Sequence, residues 1–214
     1  MLDIVFRILS GTGNTLFIFF TTIIFSLPLG LIVCFLKMSK NKIISGITSA
    51  FISILRGTPL MLQLIVWFYG PFYIFGMKLA PMWRIGAIVI GFSINYAAYF
   101  AEIYRAGIEN IPIGQVEAAT LLGYSKSKTF IKIIFPQMVK RVLPPVTNEI
   151  ITLIKDTSLA FVLTYTEVFT IAKQVAAAKT TVLPLFIAGA FYYIFNLIVA
   201  FVMSYIENKF SYFS

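Results

Sequence analysis

Two stretches of this chain, residues 15–36 and 180–206, carry no charged side chain. Each exceeds the ~20 residues that an α-helix needs to cross a hydrocarbon core of ~30 Å. Lipid offers the backbone no hydrogen-bond partners, so such segments fold as helices that satisfy their own N–H and C=O groups. Composition agrees, with 59% hydrophobic and only 12% charged residues. A water-soluble domain of 214 residues has too little interior to hide that much apolar side chain. The expected class is an all-α, multi-pass membrane protein.

Three more apolar segments bring the expectation to about five transmembrane helices. Residues 43–73 are long enough to span but are interrupted by Arg56-Gly57-Thr58-Pro59, where proline removes a helical N–H and kinks or breaks the rod. Residues 85–101 run into Glu102, Arg105 and Glu109, whose spacing lets them pair along one helix face. Residues 143–170 carry Lys155-Asp156-Thr157-Ser158 near their middle. The start, Met1-Leu2-Asp3, has no basic leader or small-residue cleavage site, which argues that the first span is retained. Lys37, Lys40, Lys42, Arg105, Lys126, Lys128, Lys132, Lys140, Arg141 and Lys209 fall on one side of such a layout. Arg7, Lys78, Arg84, Lys173 and Lys179 fall on the other. Positive loops resist translocation, so this asymmetry predicts the amino terminus outside and the carboxyl terminus in the cytoplasm.

The net charge of +9 is read as topology and contact with anionic headgroups, not as affinity for nucleic acid. Cys34, the single cysteine, sits in an apolar run as a small hydrophobe. With no histidine in the chain, no zinc or haem site is expected. Trp67, Tyr69, Tyr73, Trp83, Tyr192, Tyr193 and Tyr205 are expected as interfacial anchors.

Between the third and fourth apolar segments lies a polar, lysine-rich section. Residues 115–122 read as a short alanine-rich helix stopped by Gly123 in a left-handed cap. Ser125 is placed to cap a second helix over 126–134, whose Phe130, Ile131, Ile133 and Ile134 oppose Lys126, Lys128 and Lys132, and Pro136 is expected to end it. On these residues alone, an amphipathic hairpin lying at the headgroups and a docking device both fit.

The spacing of Glu117-Ala118-Ala119, Gly123, Ile133 and Pro136 resembles the cytoplasmic loop of permease subunits of bacterial ATP-binding-cassette importers, with Phe135 where that family usually has leucine. Arg56-Gly57-Thr58-Pro59-Leu60 with Gln63 is similar to the polar amino-acid branch, of the histidine, glutamine, arginine and cystine type. So are Ala98-Tyr99, Glu102-Ile103, Gly107-Ile108, Pro144-Pro145, Asn148-Glu149 and Lys155-Asp156-Thr157-Ser158-Leu159. The resemblance implies one transmembrane permease domain over 1–214, with the type I importer fold and a cytoplasmic two-helix coupling loop at about 110–136. It implies a subunit that carries a polar amino acid across the bacterial cytoplasmic membrane. The implied partners are a second permease, identical or a sibling, two ATPase subunits beneath, and an extracytoplasmic amino-acid-binding protein. Glu117, Ala118, Ala119 and Gly123 are then the residues that dock the ATPase. The chain lacks a Gly-x-x-x-x-Gly-Lys-Ser/Thr loop, so it is expected to bind no ATP and no other cofactor.

An ionisable group at bilayer depth costs at least about 2.5–3.5 kcal/mol and so faces a partner or a water-filled cavity. The two interrupted spans are therefore the expected path, with Thr58, Asn95, Asp156 and Ser158 as candidate contacts and Asp156 suited to an ammonium group. Two structural alternatives stand beside this. Lys155 and Asp156 also fit an internal link or a helix cap, and Asn95 also fits a bond to a neighbouring span. A stand-alone ion-coupled carrier or channel would explain the mid-span charges but not the Glu-Ala-Ala loop. No paired carboxylates, metal cluster or activated nucleophile points to an enzyme.

Overall fold

The computed structural model describes residues 2–78 and 80–211, and among them regular structure is entirely helical. Helices α1 (Leu2–Leu9) and α2 (Thr12–Lys37) form a 36-residue apolar stretch. The Asn41 side chain accepts from the Ile43 N–H at 2.9 Å and so starts α3 (Lys42–Gly57). Thr58 is extended, with φ −120° and ψ 147°, as the residue before a proline must be. The chain therefore turns through 111° into α4 (Leu60–Phe75). The interruption expected at Gly57–Pro59 is a sharp elbow.

Helix α5 (Trp83–Glu109) is the most enclosed of the apolar helices. It packs along α2 over the largest interface in the chain. Small residues permit that approach: a Cβ on Gly30 would lie 2.8 Å from Phe100 Cβ and 3.2 Å from the Ala97 carbonyl oxygen. Without water to drive helices together, such close packing is the main source of association in a bilayer. Phe92, Tyr96 and Phe100 of α5 are fully buried in this core.

After α5 come α6 (Ile113–Leu121), α7 (Lys126–Thr129), a π-helical turn over Phe130–Ile134, and α8 (Phe135–Asp156). This corrects the expectation at Pro136. The proline does not end the helix that begins at Lys126, because it falls in the first turn of α8, directly after the wide π-turn. Its missing N–H is harmless there. Helix α8 gives way to a 3-10 turn over Thr157–Leu163, followed by α9 (Val168–Lys179) and α10 (Leu183–Ser211).

Among the described residues three helical stretches are long and apolar enough to cross a membrane, or four when the bent α3–α4 pair counts as one. The expected fourth apolar span, 143–170, is not continuous. Its first part belongs to α8, 22 residues long, which begins at Phe135. That helix carries Lys140, Arg141, Glu149, Lys155 and Asp156, so it is long enough to span but too polar to face lipid all round. By contrast Phe20, Ile24, Phe186 and Phe201 of α2 and α10 point outward, as lipid-facing side chains do.

The acidic and basic residues at the end of α5 pair as expected. Arg105 donates to Glu102 at 2.8 Å and to Glu109, and Lys37 from the end of α2 joins Glu102. Tyr192 differs from expectation. It is not an interfacial anchor, since its hydroxyl donates to the buried Glu167 at 2.6 Å. Glu167 also caps α9, accepting from the N–H groups of Phe169 and Thr170. Val168 N–H donates to Thr15 Oγ1, and Asn14 Nδ2 donates to the Thr166 carbonyl at 2.7 Å. This polar knot binds α9 to α2 and α10 at the end of the bundle away from Lys37.

Candidate functional site: a docking loop joined to a cavity at two helix breaks

Helix α6 begins at Ile113, two residues before its expected start, with Pro112 setting the entry angle. Gly123 has φ +76°, a left-handed conformation that glycine adopts without Cβ strain, so it serves as the expected stop. Ser125 accepts from the Lys128 N–H at 3.3 Å and caps α7, also as expected. Glu117 and Ala118 are exposed on α6, while Ala119 is buried beneath them. Leu121 and Leu122, at the tip, are 89% and 77% exposed. Among the described residues Glu117 forms no hydrogen bond or ion pair. An unpaired acid beside two bare leucines is a surface that gains by being covered.

Two contacts tie this loop to α8. Gln137 Nε2 donates to Gln115 Oε1 at 2.6 Å, and the Arg141 guanidinium donates to the Asn110 carbonyl. The first of these contacts joins α6 itself to α8, and the second joins α8 to the turn before α6.

At its far end α8 borders a cavity of about 390 Å³, lined by Thr58, Pro59, Leu60, Asn95, Tyr96, Tyr99, Glu149, Thr152, Asp156 and Leu159. The two breaks in the chain, at Thr58–Pro59 and after Asp156, meet here. Thr58, Asn95 and Asp156 are thus brought together from three separate elements. Ser158 is not: its hydroxyl donates to the Lys155 carbonyl at 2.7 Å, it is not among the lining residues, and it serves to turn the backbone out of α8.

Asn95 serves two purposes. Its Nδ2 donates to Gln63 Oε1 at 3.0 Å and to the Leu55 carbonyl at 3.2 Å, while Gln63 Nε2 donates to Leu55 O and Thr58 Oγ1. This network satisfies carbonyls that the elbow leaves without helical partners. Thr58 and Asn95 are therefore wall-builders as well as lining residues. Asp156 accepts from the Tyr96 hydroxyl at 2.8 Å.

Glu149, Thr152, Tyr96 and Tyr99 were not singled out from the sequence as path residues. The signal was present. Glu149 and Asp156 are seven residues apart, two turns of a helix, with Thr152 between them on the same face. None of the lining residues is basic. The cavity is thus acidic, aromatic and edged by the first turn of α4, where the Leu62 and Gln63 N–H groups donate to the Pro59 carbonyl and those of Leu60 and Met61 have no helical acceptor.

Residues 26–212 match the family described as the binding-protein-dependent transport system inner membrane component. The arginine transport system permease protein ArtQ of Bacillus subtilis is 37% identical over 203 residues, covering 94% of this chain and 91% of ArtQ. The L-cystine transport system permease protein TcyB of the same organism is 38% identical over 186 residues, 86% of this chain and 76% of TcyB. Among solved structures, an amino acid ABC transporter crystallised with histidines superposes with a TM-score of 0.87 at 31% identity, covering 98% of this chain and 96% of that one. The chain therefore belongs to the inner membrane components of binding-protein-dependent transport systems: it is an ABC importer permease subunit that works with a separate ATPase and a separate substrate-binding protein.

Proposed function

We propose that this permease carries a polar amino acid inward through the cavity where the α3–α4 elbow meets the end of α8. The observation that carries this reading is the placement of Glu149 and Asp156 in one cavity with the first turn of α4. An amino acid needs an anion site and a cation site. Helix N-termini favour carboxylates, and the two acids favour ammonium. Relatives named for arginine and cystine transport support the class of substrate.

In this reading residues 1–214 form a single permease domain of five crossings, with α8 as the crossing whose polar face borders water and a second permease. The amino terminus is outside and the carboxyl terminus cytoplasmic, on the side of Lys37 and α6. A pair of permeases, two copies of this chain or this chain with a sibling, stands on two ATPase subunits. Glu117, Ala118, Ala119 and Gly123 form the docking surface, and the chain itself holds no cofactor. Purification from the native membrane in mild detergent tests the assembly. A stoichiometric ATPase and two permeases per particle are the expected result, and recovery of this chain alone as a monomer contradicts it.

A further inference from the structure

The loop between α5 and α8 has two halves of opposite character. The α6 half carries Glu117 and the bare Leu121 and Leu122. The half that follows, α7 and the π-helical turn, carries Lys126, Lys128 and Lys132, and no acid occurs between Glu117 and Glu149. All three lysines are exposed, and none forms an ion pair among the described residues. Lys128 lies over the Tyr124 ring, 4.2 Å from its centroid, a contact that orients the ammonium without cancelling its charge.

Phe130 sets the depth of this half. Its ring meets that of Phe35 edge-on, with centroids 5.2 Å apart. Phe35 ends an exposed apolar stripe on α2 formed by Phe17, Phe20, Ile24, Pro28, Ile32 and Phe35, at the three- and four-residue steps of one helix face. On a spanning helix such a stripe faces acyl chains, so the π-turn sits where α2 leaves the hydrocarbon. Ile131, beside Phe130, is exposed there. Lys40 and Lys42, in the turn after α2, mark the same boundary and are followed on α3 by the exposed Ile43 and Ile47. Lys37 is held by Glu102, whereas Lys40 and Lys42 form no ion pair among the described residues. Unpaired lysines beside bare isoleucines at the edge of the apolar layer are what an amphipathic segment presents to acidic headgroups.

We propose that α7 and the π-turn, with Lys40 and Lys42, form a binding surface for anionic phospholipid, so that the loop has two partners, the ATPase on α6 and the membrane on the turn that follows. The role of α6 rests on the docking reading above, while the lipid surface rests on the Phe35–Phe130 contact and the lysines. The π-turn runs directly into α8, so lipid held here steadies the entry of the helix that carries Glu149 and Asp156.

The test places a fluorophore on Ile131→Cys, in a Cys34→Ala background, in the assembled transporter in nanodiscs of phosphatidylcholine. Quenching is compared for phosphatidylglycerol and phosphatidylcholine that bear the same nitroxide near the carbonyl end of one acyl chain. Labelled phosphatidylglycerol is expected to quench at a fraction at least about fivefold lower, the scale of one lysine at an anionic surface. Ser127→Cys, exposed on α7, is a second reporter expected to give the same order. With Lys126→Gln, Lys128→Gln and Lys132→Gln combined, the margin is expected to collapse while quenching persists, because Phe130 still holds the turn against α2. Equal quenching by the two lipids in the wild type would overturn the proposal, and so would quenching by neither. Glu117→Arg separates the two halves of the loop: the ATPase is expected to leave and the preference for phosphatidylglycerol to stay. Loss of that preference together with the ATPase would assign the lysines to the ATPase and overturn the lipid surface. A preference kept with the ATPase still bound would leave the lipid surface standing and remove α6 as the docking site.

Discussion

Asp156→Asn and Glu149→Gln are each expected to weaken amino-acid uptake by on the order of 10- to 100-fold, the loss of about 1.5–3 kcal/mol for one charge-assisted hydrogen bond. Both changes keep size and remove charge. Asparagine at 156 still offers an oxygen to the Tyr96 hydroxyl, which now donates to Asp156 at 2.8 Å, so the wall of the cavity survives. Glutamine at 149 breaks no hydrogen bond or ion pair among the described residues. The loss therefore falls on ligand affinity, and it is read as a raised KM for uptake across a panel of cationic, amide and dipolar amino acids, with assembly checked by copurification. Because the two acids share one ligand, the double variant should fall short of the product of the single effects. Wild-type uptake by the double variant would remove the cavity from the transport path.

Glu117→Arg is expected to abolish transport-coupled ATP hydrolysis. The acid is exposed on α6 and unpaired among the described residues, next to the bare Leu121 and Leu122. Truncating one partner of a buried interfacial charge pair costs about 2–5 kcal/mol, and reversal adds repulsion to that loss. The ATPase should leave the complex on gel filtration, while the chain still inserts in the membrane because α6 stands clear of the bundle core. Glu117→Gln should retain part of the activity. Coupled hydrolysis at the wild-type level in Glu117→Arg would show that the docking surface lies elsewhere. The Gln115–Gln137 and Arg141–Asn110 contacts explain why coupling should pass from this loop into α8, the helix that carries Glu149 and Asp156.

The sequence was most legible where single residues impose geometry. Pro59 and Gly57 announced the elbow, Gly123 the stop of α6, and Ser125 the cap of α7, because each acts on its own few bonds. The uncharged runs announced α2 and α10 by length alone. The misreadings come from residues whose role depends on what lies opposite. Pro136 read as a helix end, yet a π-turn absorbs it, and nothing in the local sequence specifies i→i−5 bonding. Tyr192 read as an interfacial anchor until Glu167, 25 residues earlier, met its hydroxyl. Ser158 was grouped with Asp156 from the same interrupted stretch, but its hydroxyl donates to the Lys155 carbonyl and it is not among the lining residues.

Glu149 shows the limit most clearly. Its seven-residue spacing to Asp156 was visible, but only the meeting of α8 with the α3–α4 elbow makes that face a cavity wall. Asn95 was read both as a path residue and as a bond between spans, and the structure bonds it to Gln63 and the Leu55 carbonyl while placing it on the cavity wall. The span count follows the same logic. Helix α8 has the length to cross but carries Lys140, Arg141, Glu149, Lys155 and Asp156, so among the described residues three or four stretches are apolar enough to span where the sequence led to an expectation of about five.

The most direct measurement is uptake of labelled amino acid into proteoliposomes holding the purified assembly, with ATP on the ATPase side and the capture protein on the other. The account predicts uptake that requires both, that collapses in Asp156→Asn and Glu149→Gln, and that uncouples in Glu117→Arg. Flux through this chain alone, without ATP or a partner, would contradict it and return the molecule to a self-sufficient carrier or channel.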